Sequence, residues 1–337
     1  LTESLSLPQL QEAIENELMS CVGQAEDARY SEYQSMFTYQ MDWETSENAK
    51  RGKRVRPLLV LLSTHAVGGN WSDALPAAAA LELLHNFSLV HDDIQDKSPT
   101  RRGKATEWVK WGEALAINTG DGLLAISSLA LKRLAPRLTA KKTLQIHDLT
   151  HTALLNLTRG QYLDMSFETQ ENVPVEDYWE MVHGKTCSLL ATALEIGALI
   201  GGAAPWQQAA LHTCGIRLGE AYQVQDDWLG IWGDSAQTGK SNQSDLLERK
   251  KSYPILCALA LKGHFSQAWH SLPGSIPPTE IPGLLEALEK DGIRQKTEAK
   301  MSELYDDTFA LLDTAGCSQD TLAPLRELFT KLIRRAQ

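Results

Sequence analysis

The feature that most constrains this chain is helical periodicity with scarcely any strand patterning. Apolar residues recur at three- and four-residue spacing over Ala77 to Gln95, Glu113 to Leu134, Lys142 to Glu168, Val175 to Ile200 and Gln207 to Leu229. Alternating strand patterns bounded by hairpin turns are scarce. Gly, Pro and Asn gather between the helical segments, at 68–71, 98–103, 201–205, 233–239 and 273–283. No short internal repeat or low-complexity linker interrupts the pattern. The 337 residues are enough for one large domain or two ordinary ones. Periodicity predicts the simplest case, one all-α domain over residues 1–337.

Composition removes several function classes. The chain is 43% hydrophobic and 22% charged, an ordinary globular balance. It shows no unbroken run of about 18 apolar residues, so no integral membrane segment is expected. The stretch LTESLSLPQLQEAIENELMS lacks the basic start and apolar core of a secretory signal and predicts an amphipathic first helix. Cys21, Cys187, Cys214, Cys257 and Cys317 are scattered, with no C-x-x-C pair. That spacing predicts free thiols in a reducing, cytoplasmic setting. A formal net charge of -11 disfavours nucleic acid as a partner, since phosphate backbones need a basic surface. Yet basic residues cluster in GKRVRP, RRGK and ERKK, which predicts local anion sites in an acidic protein.

Helical spacing also sorts the polar residues. His85, Ser88, Asp92 and Asp96 fall on one stripe of a helix otherwise rich in Ala, Leu and Val. In GEAYQVQDDWLGIWGD, Gln223 and Asp227 are four apart, as are Tyr222 and Asp226. Both aspartate pairs lie near the C-terminal ends of their helices, where the macrodipole disfavours anions. A positive partner must offset that cost. Magnesium fits, because it takes oxygen ligands and bridges a few carboxylates to substrate phosphates. The basic clusters would grip the remaining phosphate charge, with arginine forks matching phosphate oxygens. Taken singly, each feature has a plain explanation: D-D-x-x-D as a solvated helix end, RRGK as a basic turn, His85 and Phe87 as core. Their fixed order in one chain does not.

In that order the chain resembles the trans-isoprenyl diphosphate synthases, which make farnesyl and geranylgeranyl diphosphate, through roughly residues 50 to 256. The resemblance implies an isoprenoid-synthase-type helical bundle around a central active-site cavity, acting as a homodimer. GKRVRP resembles G-K-R-x-R-P, so that Gly52, Lys53 and Arg56 would hold isopentenyl diphosphate, joined by His85 and Arg102. HDDIQD supplies the first aspartate motif, with Asp92 and Asp96 as magnesium ligands and Asp93 in support. Arg101 matches the residue gripping the allylic diphosphate. GQYLD gives Gln161 and Asp164, GKTCSLL gives Lys185 and Thr186, and YQVQDDWLG gives Gln223 and the metal ligand Asp226. Lys240 and Lys250 match further diphosphate lysines. One departure stands out: Gly230 replaces the last aspartate of the second motif, which bears on the outer shell of a third magnesium.

The reaction so implied is ionisation, condensation and elimination. Three Mg2+ ions and the lysines stabilise the departing pyrophosphate. The allylic cation is attacked by the double bond of isopentenyl diphosphate, and pyrophosphate takes the proton. Thr186 and Gln223 offer dipoles to the cation. Phe87, five residues before Asp92 and about 7.5 Å along the axis, is expected to floor the tail pocket, with Ser88 leaving space beside it. That pattern resembles geranylgeranyl diphosphate synthases, with farnesyl or longer products as alternatives. A terpene cyclase would need no second diphosphate site, and a noncatalytic partner subunit would lose an aspartate motif or its arginines.

Overall fold

The computed structural model describes residues 5–24, 27–43, 52–233, 243–272 and 274–333. Among them the chain is helical apart from one tiny hairpin. Helix α1 (Leu7–Gly23) is opened by Ser6, whose side chain accepts from the Gln9 N–H, with Pro8 in the first turn. It is followed by α2 (Ser31–Gln40), α3 (Val55–Ala66) and α4 (Leu75–Gln95). Helix α3 was not legible as a periodic segment, because its residues from Pro57 to Thr64 are all buried and leave no polar face. After α4 come strands β1 (Thr100–Arg101) and β2 (Lys104–Ala105), then α5 (Glu107–Trp111), α6 (Glu113–Lys132) and α7 (Ala140–Phe167).

The predicted segment Val175 to Ile200 is broken in the structure. It is α8 (Val175–Val182), a π-helical turn over His183–Cys187, and α9 (Ser188–Ile200). Helix α10 (Pro205–Trp232) extends the predicted Gln207 to Leu229 at both ends. Among the described residues, six further α-helices follow: α11 (Ser244–Leu247), α12 (Tyr253–Leu261), α13 (His264–Ser271), α14 (Ile281–Lys290), α15 (Ile293–Thr314) and α16 (Gln319–Ile333).

The chain forms two compact units. The first comprises Leu1–Thr152, Thr192–Leu211 and Gly316–Leu325. Its most extensive packing is α4 on α6. Small residues on α6 permit it: a Cβ at Gly120 would lie 2.4 Å from the His91 ring, and one at Gly122 would lie 2.2 Å from the Tyr33 hydroxyl. Helix α6 has the length and apolarity of a membrane span, although Asn118 and Asp121 interrupt it. Its inner face, including Ala116, Leu123, Ile126 and Ala130, is buried. Leu115, Ile117 and Leu129 are exposed.

The second unit comprises Ala153–Ala191, His212–Ala315 and Arg326–Gln337. Its core gathers Tyr178, Val182, Val224, Leu246, Phe265 and Leu288. Here α7 meets the π-helical turn backbone to backbone. A Cβ on Gly160 would lie 2.1 Å from the Lys185 nitrogen, and one on Gly184 would lie 2.7 Å from the Asn156 oxygen. Only glycine fits at both positions.

Candidate active site

In the first unit, the GKRVRP segment divides its labour. Arg54 turns inward in a left-handed conformation at φ 48°. Its Nε lies 2.7 Å from Glu15 Oε1, Nη1 lies 3.0 Å from Glu82 Oε1, and Nη2 donates to the Met41 carbonyl at 2.9 Å. Its side chain is only 2% exposed and that of Glu82 only 3%, so this cation can serve no ligand and must anchor the segment. Lys53 is exposed, whereas Gly52 and Arg56 are half-buried. Gly52 lies against Arg102, so closely that a Cβ there would be 2.9 Å from Nη1. Two residues about 50 positions apart in sequence, read as contacts to one ligand, are thus neighbours.

RRGK is a two-residue hairpin. Thr100 pairs with Ala105 and Arg101 with Lys104, and the connecting Arg102 and Gly103 both have positive φ, at 53° and 81°. That is the backbone twist a tight β-hairpin needs. The hairpin separates the two arginines. Arg101 Nε donates to Asp93 Oδ1 at 2.8 Å, and its Nη2 lies 3.2 Å from Asp92 Oδ2. Arg102 and Lys104 both pair with Asp42, at 2.8 Å and 2.5 Å. Arg101 therefore supplies a cation for carboxylates near the C-terminal end of α4. Burial pushes the Asp93 carboxyl up to about 6 against the pull of Arg101. Asp96, which caps α4, is exposed.

His85 is half-buried about two turns before Asp92 on the same stripe of α4. Burial, then Arg56, Arg102, Arg101 and Arg54, hold its imidazole well below the usual range, so it is neutral. All four arginines act on this one ring. Ser88 donates to the His85 carbonyl at 2.7 Å. Phe87 is buried, edge-on to His91 with centroids 4.7 Å apart.

In the second unit, Lys185 on the π-helical turn pairs with Asp164 of α7 at 2.6 Å. Gln161 is half-buried a turn before it. Thr186 donates to Gln223 Oε1 at 2.7 Å, and Gln223 Nε2 donates to Asp227 Oδ1 at 2.9 Å. Asp227 also accepts from Tyr178 Oη and the Tyr253 N–H, both at 2.8 Å. Burial raises its carboxyl to about 6. The adjacent aspartates thus differ: Asp227 is buried in a network that orients Thr186 and Gln223, whereas Asp226 is half-buried. Burial disfavours the Lys250 ammonium, but Asp245, Asp227, Asp164 and Asp226 outweigh it and hold it above the usual lysine range. Lys240 lies outside the described residues.

Sequence reading left Glu15, Asp42, Glu82, Arg54 and Asp245 without roles. Only Arg54 carried a local signal, as the middle basic residue of a motif, and its inward turn depends on acids far away in sequence. Asp227 was legible only as a helical neighbour of Gln223. For metal, the donors fit a hard cation: carboxylate oxygens, with no cysteine or histidine among the ligands proposed. Among the described residues, no three His, Cys, Asp or Glu side chains form a ready-made metal cage. Magnesium commonly binds through one or two carboxylates plus substrate phosphates, so the donor set suits an ion that arrives with a diphosphate.

Carboxylates beside arginines and lysines on a helical fold suit a ligand that carries phosphate together with a hard cation. The profile described as polyprenyl synthetase matches residues 43–271. The chain is 32% identical over 308 residues to (2E,6E)-farnesyl diphosphate synthase of Mycobacterium tuberculosis, covering 88% of this chain and 85% of that one. It is 33% identical over 296 residues to geranylgeranyl diphosphate synthase of the same organism, covering 86% and 84%. A crystal structure of a polyprenyl synthetase from Streptomyces coelicolor A3(2) superposes with a TM-score of 0.86 at 32% identity, over 97% of each chain. This chain belongs to the polyprenyl synthetase family and is a short-chain prenyltransferase, a trans-prenyl diphosphate synthase.

Proposed function

We propose that the chain condenses isopentenyl diphosphate with an allylic diphosphate to give geranylgeranyl diphosphate. The observation that carries the condensation is the first unit's polar cluster: Gly52 of GKRVRP lies against Arg102 of the hairpin, Arg101 of the same hairpin pairs with Asp92 of the first aspartate motif, and the arginines of both segments act on His85. Gly52, Lys53, Arg56, His85 and Arg102 hold isopentenyl diphosphate. Neutral His85 donates one ring N–H without adding charge. Arg101, Lys185, Lys240 and Lys250 hold the allylic diphosphate, with Gln161 and Asp164 beside them. Asp92, Asp96 and Asp226 are the ligands for Mg2+, three ions per site. Bound Mg2+ supplies Lewis-acid stabilisation of the charge that develops on the leaving diphosphate.

The chain's own groups do the rest. Thr186 and Gln223, fixed by Asp227, present oriented dipoles, and such preorganised groups cost no rearrangement as charge develops. Holding both substrates at near-attack distance removes entropic cost. No basic side chain is assigned to proton removal; departing pyrophosphate takes the proton. The outer side of α6, where Leu115, Ile117 and Leu129 are individually exposed, is proposed to be covered by a second copy of the chain, giving a homodimer whose mass sedimentation equilibrium reads. The absence of a cysteine pair supports a cytoplasmic setting.

Labelled isopentenyl diphosphate, each allylic primer and Mg2+, followed by product sizing, tests the function. A linear C20 diphosphate is expected. A C15 or longer product moves the length assignment, and a cyclised hydrocarbon or no product overturns the reaction.

Two predictions follow from the residue assignments. Arg102→Ala is expected to raise KM for isopentenyl diphosphate by at least about tenfold, the loss of one charge-assisted contact, with a smaller effect on the primer. Lys250→Ala is expected to do the reverse. Steady-state kinetics with each substrate varied distinguishes them, and equal effects on both substrates would argue against two diphosphate sites. For product length, Phe87→Ala should remove the floor beneath the growing tail and shift products beyond C20. It should also cost about 3–5 kcal/mol, as truncation of a buried Phe does. Chromatography of dephosphorylated products from the folded variant decides it; an unchanged length refutes the floor.

A further inference from the structure

Tyr39, near the end of α2, and Asp42, two residues beyond that helix, precede residue 43, where the match to the family profile begins. No motif marks them, but both are tied to the hairpin that carries Arg102. Asp42 is 5% exposed and holds two cations of that hairpin, Arg102 through Nη1 at 2.8 Å and Lys104 at 2.5 Å. Lys104 also donates to the Tyr39 carbonyl, and Tyr39 Oη donates to the Ala105 carbonyl at 2.7 Å. The Tyr39 ring faces two ammonium groups, Lys104 at 4.1 Å from its centroid and Lys110 at 3.9 Å, within cation–π range. The residue before Asp42 serves the other basic segment: the Met41 carbonyl accepts from Arg54 of GKRVRP at 2.9 Å. Adjacent residues thus tether two segments that meet where Gly52 lies against Arg102.

A carboxylate beside an anion site is unfavourable unless something offsets it. Here two cations share the one carboxylate, so the group stays positive on balance. The Arg102 side chain is still 30% exposed and can be reached by a ligand. A guanidinium carries five donors in a fixed fork, so fixing it through Nη1 leaves donors for a phosphate. An arginine already held in place also loses less side-chain freedom when the ligand arrives. We propose that Asp42 is a positioning residue of the isopentenyl diphosphate site, holding the Arg102 guanidinium where the diphosphate meets it. This rests on the assignment of Arg102 to isopentenyl diphosphate.

Asp42→Asn and Asp42→Gly test it in the full chain. Asp42 has φ 64°, a left-handed conformation that asparagine and glycine both accept. Initial rates are measured with each substrate varied, alongside Arg102→Ala and Asp42→Gly/Arg102→Ala, and melting temperatures check the fold. Asp42→Gly is expected to raise KM for isopentenyl diphosphate about fivefold, the factor that ordering one long side chain is worth, with KM for the primer unchanged. Asp42→Asn keeps an oxygen for Arg102 and should lose less. In the Arg102→Ala background, Asp42→Gly should raise that KM no further, because the group it positions is gone. An equal rise in the primer KM would mean that the whole hairpin, Arg101 included, has loosened, and overturns the proposal. A further rise in the double variant, or failure of both single variants to fold, makes Asp42 a structural residue and overturns it too. Failure of the underlying assignment looks different. If Arg102→Ala raises KM for isopentenyl diphosphate and Asp42→Gly does not, this proposal alone falls. If Arg102→Ala leaves that KM unchanged, the assignment of Arg102 falls with it, and a wild type that makes no prenyl diphosphate overturns the function itself.

Discussion

Asp92→Ala or Asp226→Ala is expected to reduce condensation by on the order of a thousandfold or more, the rate equivalent of several kcal/mol of lost charge stabilisation. The two residues belong to different compact units, and neither variant should unfold its own. Asp92 is half-buried, and its cation, Arg101, keeps a second and closer carboxylate partner in Asp93 at 2.7 Å. Asp226 is half-buried too, while the hydrogen-bond network beside it is built on Asp227. Circular dichroism should therefore be unchanged in both variants, and the loss should appear in a radiolabel assay and in Mg2+ dependence. Asp227→Ala makes the contrast. It removes the acceptor for Tyr178, Tyr253 and Gln223 together, so it should cost stability as well as rate. Near-normal turnover in either the Asp92 or the Asp226 variant would sink the metal assignment.

The contrast within each aspartate pair shows where sequence stops being informative. Spacing on a helix placed His85, Ser88, Asp92 and Asp96 on one stripe, and α4 bears that out because it is uninterrupted from Leu75 to Gln95. Motif order located the residues that the first unit gathers. Periodicity failed in two physical situations. Helix α3 is buried nearly all round, which erases the signal of an amphipathic face. The π-helical turn at His183–Cys187 lies inside a continuous apolar pattern, and it is where Gly184 meets Gly160 backbone to backbone, a contact that no local pattern reveals. Partnerships between distant residues were equally hidden. The pairing of Arg102 with Asp42 and the approach of Asp245 to Gly230 depend on the fold as a whole.

Arg54 carries an expected effect on stability as large as that of truncating Phe87. Arg54→Met should destabilise the chain by about 3–5 kcal/mol, the cost of removing one partner from a buried ion pair and stranding the other charge. The stranded group is Glu82, whose Oε1 would keep, among the described residues, the Asn86 amide at 3.3 Å. Glu15 would keep the Trp43 indole N–H at 2.8 Å and, being less buried, should suffer less. Replacing both sides should recover most of the loss, since a buried ion pair and a well-packed apolar substitute are often nearly equal in stability. Arg54→Met/Glu82→Leu is therefore expected to unfold at a higher denaturant concentration than Arg54→Met alone. Arg54→Gly separates a second contribution. Arg54 is held at φ 48°, a conformation that glycine adopts without strain and other residues do not. If the left-handed turn dominated the energetics, Arg54→Gly would be the more stable single variant. If the ion pairs dominate, both single variants should fall together and only the double should recover. Denaturant midpoints followed by circular dichroism separate the cases, and a loss below about 1 kcal/mol in Arg54→Met would fall in the range of a surface ion pair and remove Arg54 as the anchor of the segment that presents Lys53 and Arg56.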